Sequence, residues 1–142
     1  MKRAGFTLVE TLMALSLAGF LVYGGAVSFQ RLIPKYRLQT GLWEVQSALS
    51  QARFKAAWQG RAYRVRFEGQ VCFLEACDEA SGAWRLGRAV RLEGVEVTAN
   101  NSPTFHPEGT VSDLATISLS NSRGAYKITV AISGRVKAVK IG

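Results

Sequence analysis

Charge is missing from a long stretch near the start of this chain: between Thr11 and Gln30 there is no Asp, Glu, Lys or Arg. Acidic residues are missing from the other end, where none follows Asp113. Histidine occurs only as His106, and cysteine only as Cys72 and Cys77. These scarcities exclude chemistry. A structural zinc site takes four ligands, and two cysteines with one histidine in another segment do not supply them. No Gly-rich phosphate loop, paired-carboxylate motif or metal-ligand cluster is present. His106, between Phe105 and Pro107 and with no identifiable Ser or Cys partner in the sequence, reads as a turn or surface residue. The pattern points away from an enzyme and calls for no cofactor and no metal. Internal repeats and low-complexity tracts are absent too.

What is present begins with the uncharged run itself. A helix over those positions is about 30 Å long at about 1.5 Å per residue, enough to cross the hydrocarbon of a bilayer. Ahead of it lie a short basic leader, Lys2 and Arg3, and then Gly5. Glu10 stands at the mouth of the run, where an unpaired carboxylate costs about 2–3 kcal/mol and so asks for a function. Two other layouts compete. One is an ordinary secretory signal cleaved near Tyr23-Gly24-Gly25-Ala26; the other is a plain anchor in which Glu10 is incidental.

The stretch Gly5-Phe6-Thr7-Leu8-Val9-Glu10, followed by the apolar run, resembles the type IV pilin and pseudopilin family. That resemblance implies cleavage by a prepilin peptidase between Gly5 and Phe6 and methylation of Phe6 as the new N-terminus. Glu10, the fifth mature residue, would pair with the terminal amine of a neighbouring subunit. Two buried charges are neutralised only when subunits stack in register, which makes Glu10 an assembly check. The resemblance also implies single-pass insertion in the inner (cytoplasmic) membrane with the globular part outside the cytoplasm, and then incorporation into a fibre with other pilin subunits.

Beyond the run, Leu38, Leu42, Val45, Leu49, Ala52 and Ala56 recur at spacings of four and three, one stripe of an amphipathic helix. Trp43, Phe54 and Trp58 are expected to widen its buried face, Pro34 to kink it, and Gly60 to end it. From Arg61 to Phe67 the period changes to two, with Tyr63, Val65 and Phe67 inward and Arg64 and Arg66 outward. Val71–Leu74 returns after the Glu68-Gly69-Gln70 turn. The segment 78–87 reads as a loop anchored by Trp84. Ala89–Leu92 and Val95–Thr98 read as strands around Glu93-Gly94, 100–107 as turn-rich, and Ala115–Ser120, Ala125–Ile132 and Arg135–Ile141 as closing strands. The expected organisation is α+β: leader 1–5, membrane and assembly helix 6–30, amphipathic continuation 31–60, and an antiparallel β-sheet domain 61–142 on which the helix packs. Outside the cytoplasm a Cys72–Cys77 disulfide persists if it forms, though so small a loop gains only about 2 kcal/mol; two free thiols are the alternative.

The C-terminal third narrows the resemblance. Phe105-His106-Pro107-Glu108-Gly109, followed by two strands and Ser133-Gly134-Arg135-Val136-Lys137, is similar to the FimT/GspH group of minor pilins and pseudopilins. In the FimT branch a Gly-Arg-x-Arg motif is implicated in holding incoming double-stranded DNA during natural transformation. Here the motif ends in Lys137, which keeps the charge but loses the planar fork that grips phosphate with two bonds. The formal charge is +8, or +6 once Lys2 and Arg3 leave with the leader, and the pI is about 10.0, a balance that favours polyanionic partners. The basic residues Arg123, Lys127, Arg135, Lys137 and Lys140 form the candidate DNA patch, with Arg123 expected to join Arg135 and Lys137 at the rim; a plain solvated strand face and a surface that packs on acidic neighbouring subunits are the alternatives. The other role the resemblance allows is that of an H-type pseudopilin, a structural subunit of a type II secretion system.

Overall fold

The computed structural model describes residues 7–141; the Gly5–Phe6 junction therefore lies outside the described residues. One helix, α1 (Leu8–Gln59), is followed by nine strands: β1 (Tyr63–Glu68), β2 (Val71–Cys77), β3 (Trp84–Arg91), β4 (Glu96–Ala99), β5 (Thr104–Phe105), β6 (Val111–Ser112), β7 (Thr116–Asn121), β8 (Gly124–Val130) and β9 (Val136–Ile141). The chain divides between Ile33 and Pro34 into two compact units.

In the first unit, Thr7 starts α1 by accepting a hydrogen bond from the backbone N–H of Glu10 at 3.3 Å. A Thr three residues ahead of a Glu has the spacing of a capping box, so Glu10 has a local place in the helix start in addition to any intersubunit one. From Leu8 to Ala26 the helix is long and apolar enough to cross a membrane. Its large side chains, including Leu12, Leu17, Phe20 and Leu21, are exposed. None of the described residues covers them.

The second unit is built on the remaining part of α1. Leu38, Leu42, Val45, Ala48, Leu49, Ala52 and Ala56 are all buried, as the period of the sequence requires. Gly41 lies on the same stripe, and a Cβ there would come within 3.3 Å of Val95 and 3.6 Å of Leu119. Glycine thus lets helix and sheet approach closely. Trp43, Phe54 and Trp58 do not widen this face. They are 61, 66 and 78 % exposed, because Phe54 lies nine residues from Val45, about half a turn round the helix. Phe54 and Trp58 stack on each other instead, with centroids 6.0 Å apart. At Gly60, whose φ is 67°, the helix stops.

The strands form two antiparallel sheets, not one: the first in the order β3-β2-β1-β5-β6, the second β4-β7-β8-β9. Side chains from both sheets join the helix stripe in a single core, with Val65, Cys72 and Leu74 from the first and Ile117, Leu119, Ile128 and Val130 from the second. Two local expectations change. The 78–87 segment is loop only over 78–83; its last four residues, 84–87, open β3, since the β2–β3 ladder runs on to Cys77 opposite Trp84. The Asp78 carboxylate then holds the turn, accepting from Ser81 Oγ at 2.9 Å and from Arg85 at 2.7 Å. These bonds, the serine's first, keep the Asp78 carboxyl below its usual range. The strands flanking Glu93-Gly94 exist but do not pair with each other: β3 edges the first sheet and β4 the second. Leu92 and Val95 are both buried, so this turn carries the chain from one sheet to the other.

The Cys72–Cys77 disulfide is not formed; both are free cysteines. They occupy one extended strand, β2, five residues apart, which sets their Cα atoms about 16 Å apart at about 3.3 Å per residue. A disulfide spans less than about 7 Å between Cα atoms. An odd separation also turns the two side chains to opposite faces, Cys72 into the core and Cys77 outward. Burial pushes the Cys72 thiol up from 9.0 to about 12, with the Glu44 charge adding to the effect. A maleimide applied to the native chain at neutral pH is expected to label Cys77 and spare Cys72, with both labelled after unfolding; an oxidised chain that takes no label would contradict this. Since the unfolded chain sheds the Cys72 proton first, stability should fall as pH rises from about 9 towards 12.

Candidate nucleic-acid interface

The basic residues singled out from the sequence lie on or beside β7, β8 and β9. Along β8 and β9 the registers Thr129↔Lys137 and Lys127↔Val139 place Lys127 and Lys137 on one face of the second sheet as diagonal neighbours, about 7–8 Å apart between Cα atoms. This is the outer face, since the intervening Ile128 points into the core. Arg135 immediately precedes β9, so it stands at the end of the same face.

The turn that presents Arg135 has its own construction. The Gly134 N–H donates to the Ala131 carbonyl at 2.9 Å, and the Ala131 N–H donates to the Arg135 carbonyl at 2.9 Å. Gly134 has φ of 73°, and a Cβ there would come within 3.2 Å of the Arg53 guanidinium, which donates to the Gly134 carbonyl at 3.3 Å. The glycine of Gly134-Arg135-Val136-Lys137 is thus a left-handed turn residue and a seat for Arg53.

Arg123 and Lys140 are placed differently. Arg123 lies in the two-residue β7–β8 turn, between Asn121 and Gly124, at the opposite end of β8 from Arg135. The seven residues of β8 separate the two by about 20 Å, so Arg123 does not join Arg135 and Lys137 at the rim. Lys140 pairs with Tyr126, on the other parity from Lys137. The five cations form a near group of Lys127, Arg135 and Lys137 and a far pair of Arg123 and Lys140. All five are exposed, and among the described residues none is ion-paired to a carboxylate.

The first sheet treats its cations in the opposite way. Glu75, on its outer face, is buried and accepts from Arg64 Nε at 2.6 Å and Arg66 Nε at 3.1 Å. Arg66 also bonds Glu68 at 2.7 Å, and its carboxylate partners, Glu68 first, raise its pKa further. Arg64 lies 4.3 Å from the Trp84 ring centroid and Arg66 4.5 Å from that of Phe73. Trp84 is therefore a half-buried platform for Arg64 and takes no part in the core. These arginines are committed within the fold, whereas the second sheet leaves its cations to solvent.

Two features are not evident from the sequence. Thr129, opposite Lys137, and Ser118, opposite Lys127, put hydroxyls beside the lysines on the same face; the available signal is the alternation of polar residues along β7, Thr116, Ser118 and Ser120. Cationic side chains and hydroxyls on one flat face contact phosphate oxygens without reading bases. The second feature concerns His106, which has a serine partner after all: its ring nitrogen lies 2.8 Å from Ser112 Oγ, across the short β5–β6 ladder. A serine nucleophile also needs its base oriented by a third group, and among the described residues no carboxylate is hydrogen-bonded to this imidazole. Nearby Glu108 is held below the usual carboxylate range by its own backbone N–H and by Thr110.

No protein-family model and no curated protein matches the chain. Solved structures do. The minor pseudopilin EpsH of the type II secretion system of Vibrio cholerae aligns at a TM-score of 0.62 and 13 % identity, over 78 % of this chain and 97 % of its own. The type IV minor pilin FimU of Pseudomonas aeruginosa aligns at 0.59 and 20 % identity, over 72 % of this chain and 88 % of its own. The chain has the fold of the minor pilins and pseudopilins, the group its sequence resembles.

Proposed function

We propose that this chain is a minor pilin of FimT/GspH type that contributes to binding and uptake of double-stranded DNA. On this reading residues 1–5 are a leader removed by a prepilin peptidase between Gly5 and Phe6, and Phe6 is then methylated. Residues 6–30 anchor the chain as a single pass in the inner membrane with the globular part outside the cytoplasm, and residues 31–60 carry the helix on into the domain at 61–142. During assembly Glu10 pairs with the amine of a neighbouring subunit's Phe6. The N-terminal mass of chain recovered from fibres tests the first step: methylated Phe6 is expected, and a start at Met1 or near Ala26 would contradict it.

The observation that carries the DNA reading is the grouping of Lys127, Arg135 and Lys137 on one face with Ser118 and Thr129. Among the described residues the nearest side-chain carboxylate on that face is Glu96 of β4, two strands from Lys127 and three from β9, about 10–14 Å across the sheet at about 4.8 Å per strand. The likeness to EpsH favours a second reading, an H-type pseudopilin with a structural role in protein export, for which the same lysines face other subunits. Titration of the full chain in detergent with duplex DNA of unrelated sequences, across a salt series, separates the two. Uptake requires sequence-independent binding with a steep salt slope. Replacing Lys127, Arg135 and Lys137 by alanine should then flatten that slope by about 0.9 for each phosphate no longer neutralised, while Arg123→Ala alone changes it least. Absence of binding at low salt would sink the DNA reading and leave the structural one.

A further inference from the structure

The helix of the second unit lies between two free strand edges, and the two flanks are finished differently. On the β3 flank the space beside the helix is closed to about 10 Å³, with Arg88 and Val90 packed towards Ala48 and Gln51, and Arg88 reaches Gln51 Oε1 at 3.5 Å. On the β9 flank an open groove of about 430 Å³ runs between Leu49, Arg53, Phe54 and Ala57 of α1 and, across from them, the turn residue Gly134 and Val136 of the last strand. Beyond β9, among the described residues, no strand follows. Its outer row of backbone N–H and C=O groups is therefore open over most of its six residues.

An unpaired edge beside an apolar groove is the arrangement that accepts an added strand: main-chain bonds supply affinity and the groove takes alternate side chains. Charge selects the occupant. Arg53, Arg135, Lys137 and Lys140 surround the edge, and no acidic residue lines the groove. The chain's own long free edges cannot fill it comfortably. β9 carries Lys137 and Lys140, β3 carries Arg85, Arg88 and Arg91, and neither strand has a carboxylate. Lysines on an edge strand ordinarily oppose edge-to-edge pairing; here what they repel is another copy of this chain. A carboxylate directly across from Lys137 would instead form a favourable cross-strand pair.

We propose that β9 accepts an extended segment of a different protein as a fifth strand of the second sheet. That segment would alternate acidic residues, facing out beside Lys137, with apolar residues that enter the groove between Val136 and Phe54. The site is the strand edge and the helix flank, so it does not depend on DNA binding by the outer face.

The test uses the full chain in detergent and synthetic six-residue peptides alternating Val with Glu or Val with Lys, read by amide hydrogen exchange and NMR shifts. The Val/Glu peptide is expected to bind, to protect the outward amides of β9, and to perturb Phe54 and Val136; the Val/Lys peptide is not. Methylating alternate backbone nitrogens of the Val/Glu peptide, which leaves the fold of the protein untouched, should weaken binding about tenfold or more. Ala57→Trp, which fills the groove, should do the same. Overturning results are a Val/Glu peptide that leaves β9 amides unprotected, or one whose binding survives both N-methylation and Ala57→Trp. The second would reduce the effect to charge attraction at the lysine-bearing outer face.

Discussion

Everything in the globular unit depends on one contact, the burial of a single helix stripe against two sheets at once. Leu38, Leu42, Val45, Leu49, Ala52 and Ala56 run down that stripe, and the largest side chains buried in the same core from outside the helix are Phe105, Leu92, Ile117, Leu119 and Ile128. Each fully buried Leu, Ile or Phe contributes about 1.5–3 kcal/mol relative to exposure. The sheets also touch directly where the Val111 N–H of β6 donates to the Ile132 carbonyl, just beyond β8, at 2.9 Å, but this is a single bond. The helix is what makes two small sheets one core. Its small residues, Gly41, Ala48, Ala52 and Ala56, let the backbone lie close enough to reach both.

Burying inner faces on a shared helix leaves the outer faces and the edges to other tasks. The first sheet ties Arg64, Arg66 and Arg85 to the carboxylates of Glu75, Glu68 and Asp78. The second leaves Lys127, Arg135 and Lys137 unpaired over a hydroxyl-bearing surface and ends in an open edge. Unpaired lysines and an open backbone edge thus meet at β9. In the first unit the apolar surface from Leu8 to Ala26 has no partner among the described residues, and lipid or other apolar helices are what such a surface requires.

Much of this is legible in the sequence because it is written in periodicity. The 3-4 spacing of Leu38 to Ala56 specifies the buried stripe, and the alternation in Tyr63, Val65 and Phe67 specifies β1. What periodicity does not carry is which strand pairs with which. Ala89–Leu92 and Val95–Thr98 look like the two arms of a hairpin, yet burial of Leu92 and Val95 sends them to different sheets. The aromatic residues mislead in the same way: Trp43, Phe54 and Trp58 are hydrophobic by type, but their helical angle takes them off the buried stripe. Five-residue spacing suggests a cysteine pair, whereas the strand the two share keeps them apart. For the basic patch, alternation correctly puts Arg135 and Lys137 together, and only the register across β8 can add Lys127 and remove Arg123.

The most direct test of this account is native-state hydrogen exchange on the full chain, comparing wild type with Leu49→Ala. If one helix stripe holds both sheets, the slowest amides of β2 and of β8 open with the same free energy. Truncating Leu49 then lowers both together, by about 2–5 kcal/mol as for other buried leucines. A variant in which one sheet loses protection while the other keeps its wild-type value would contradict it, because each sheet would then have a core of its own.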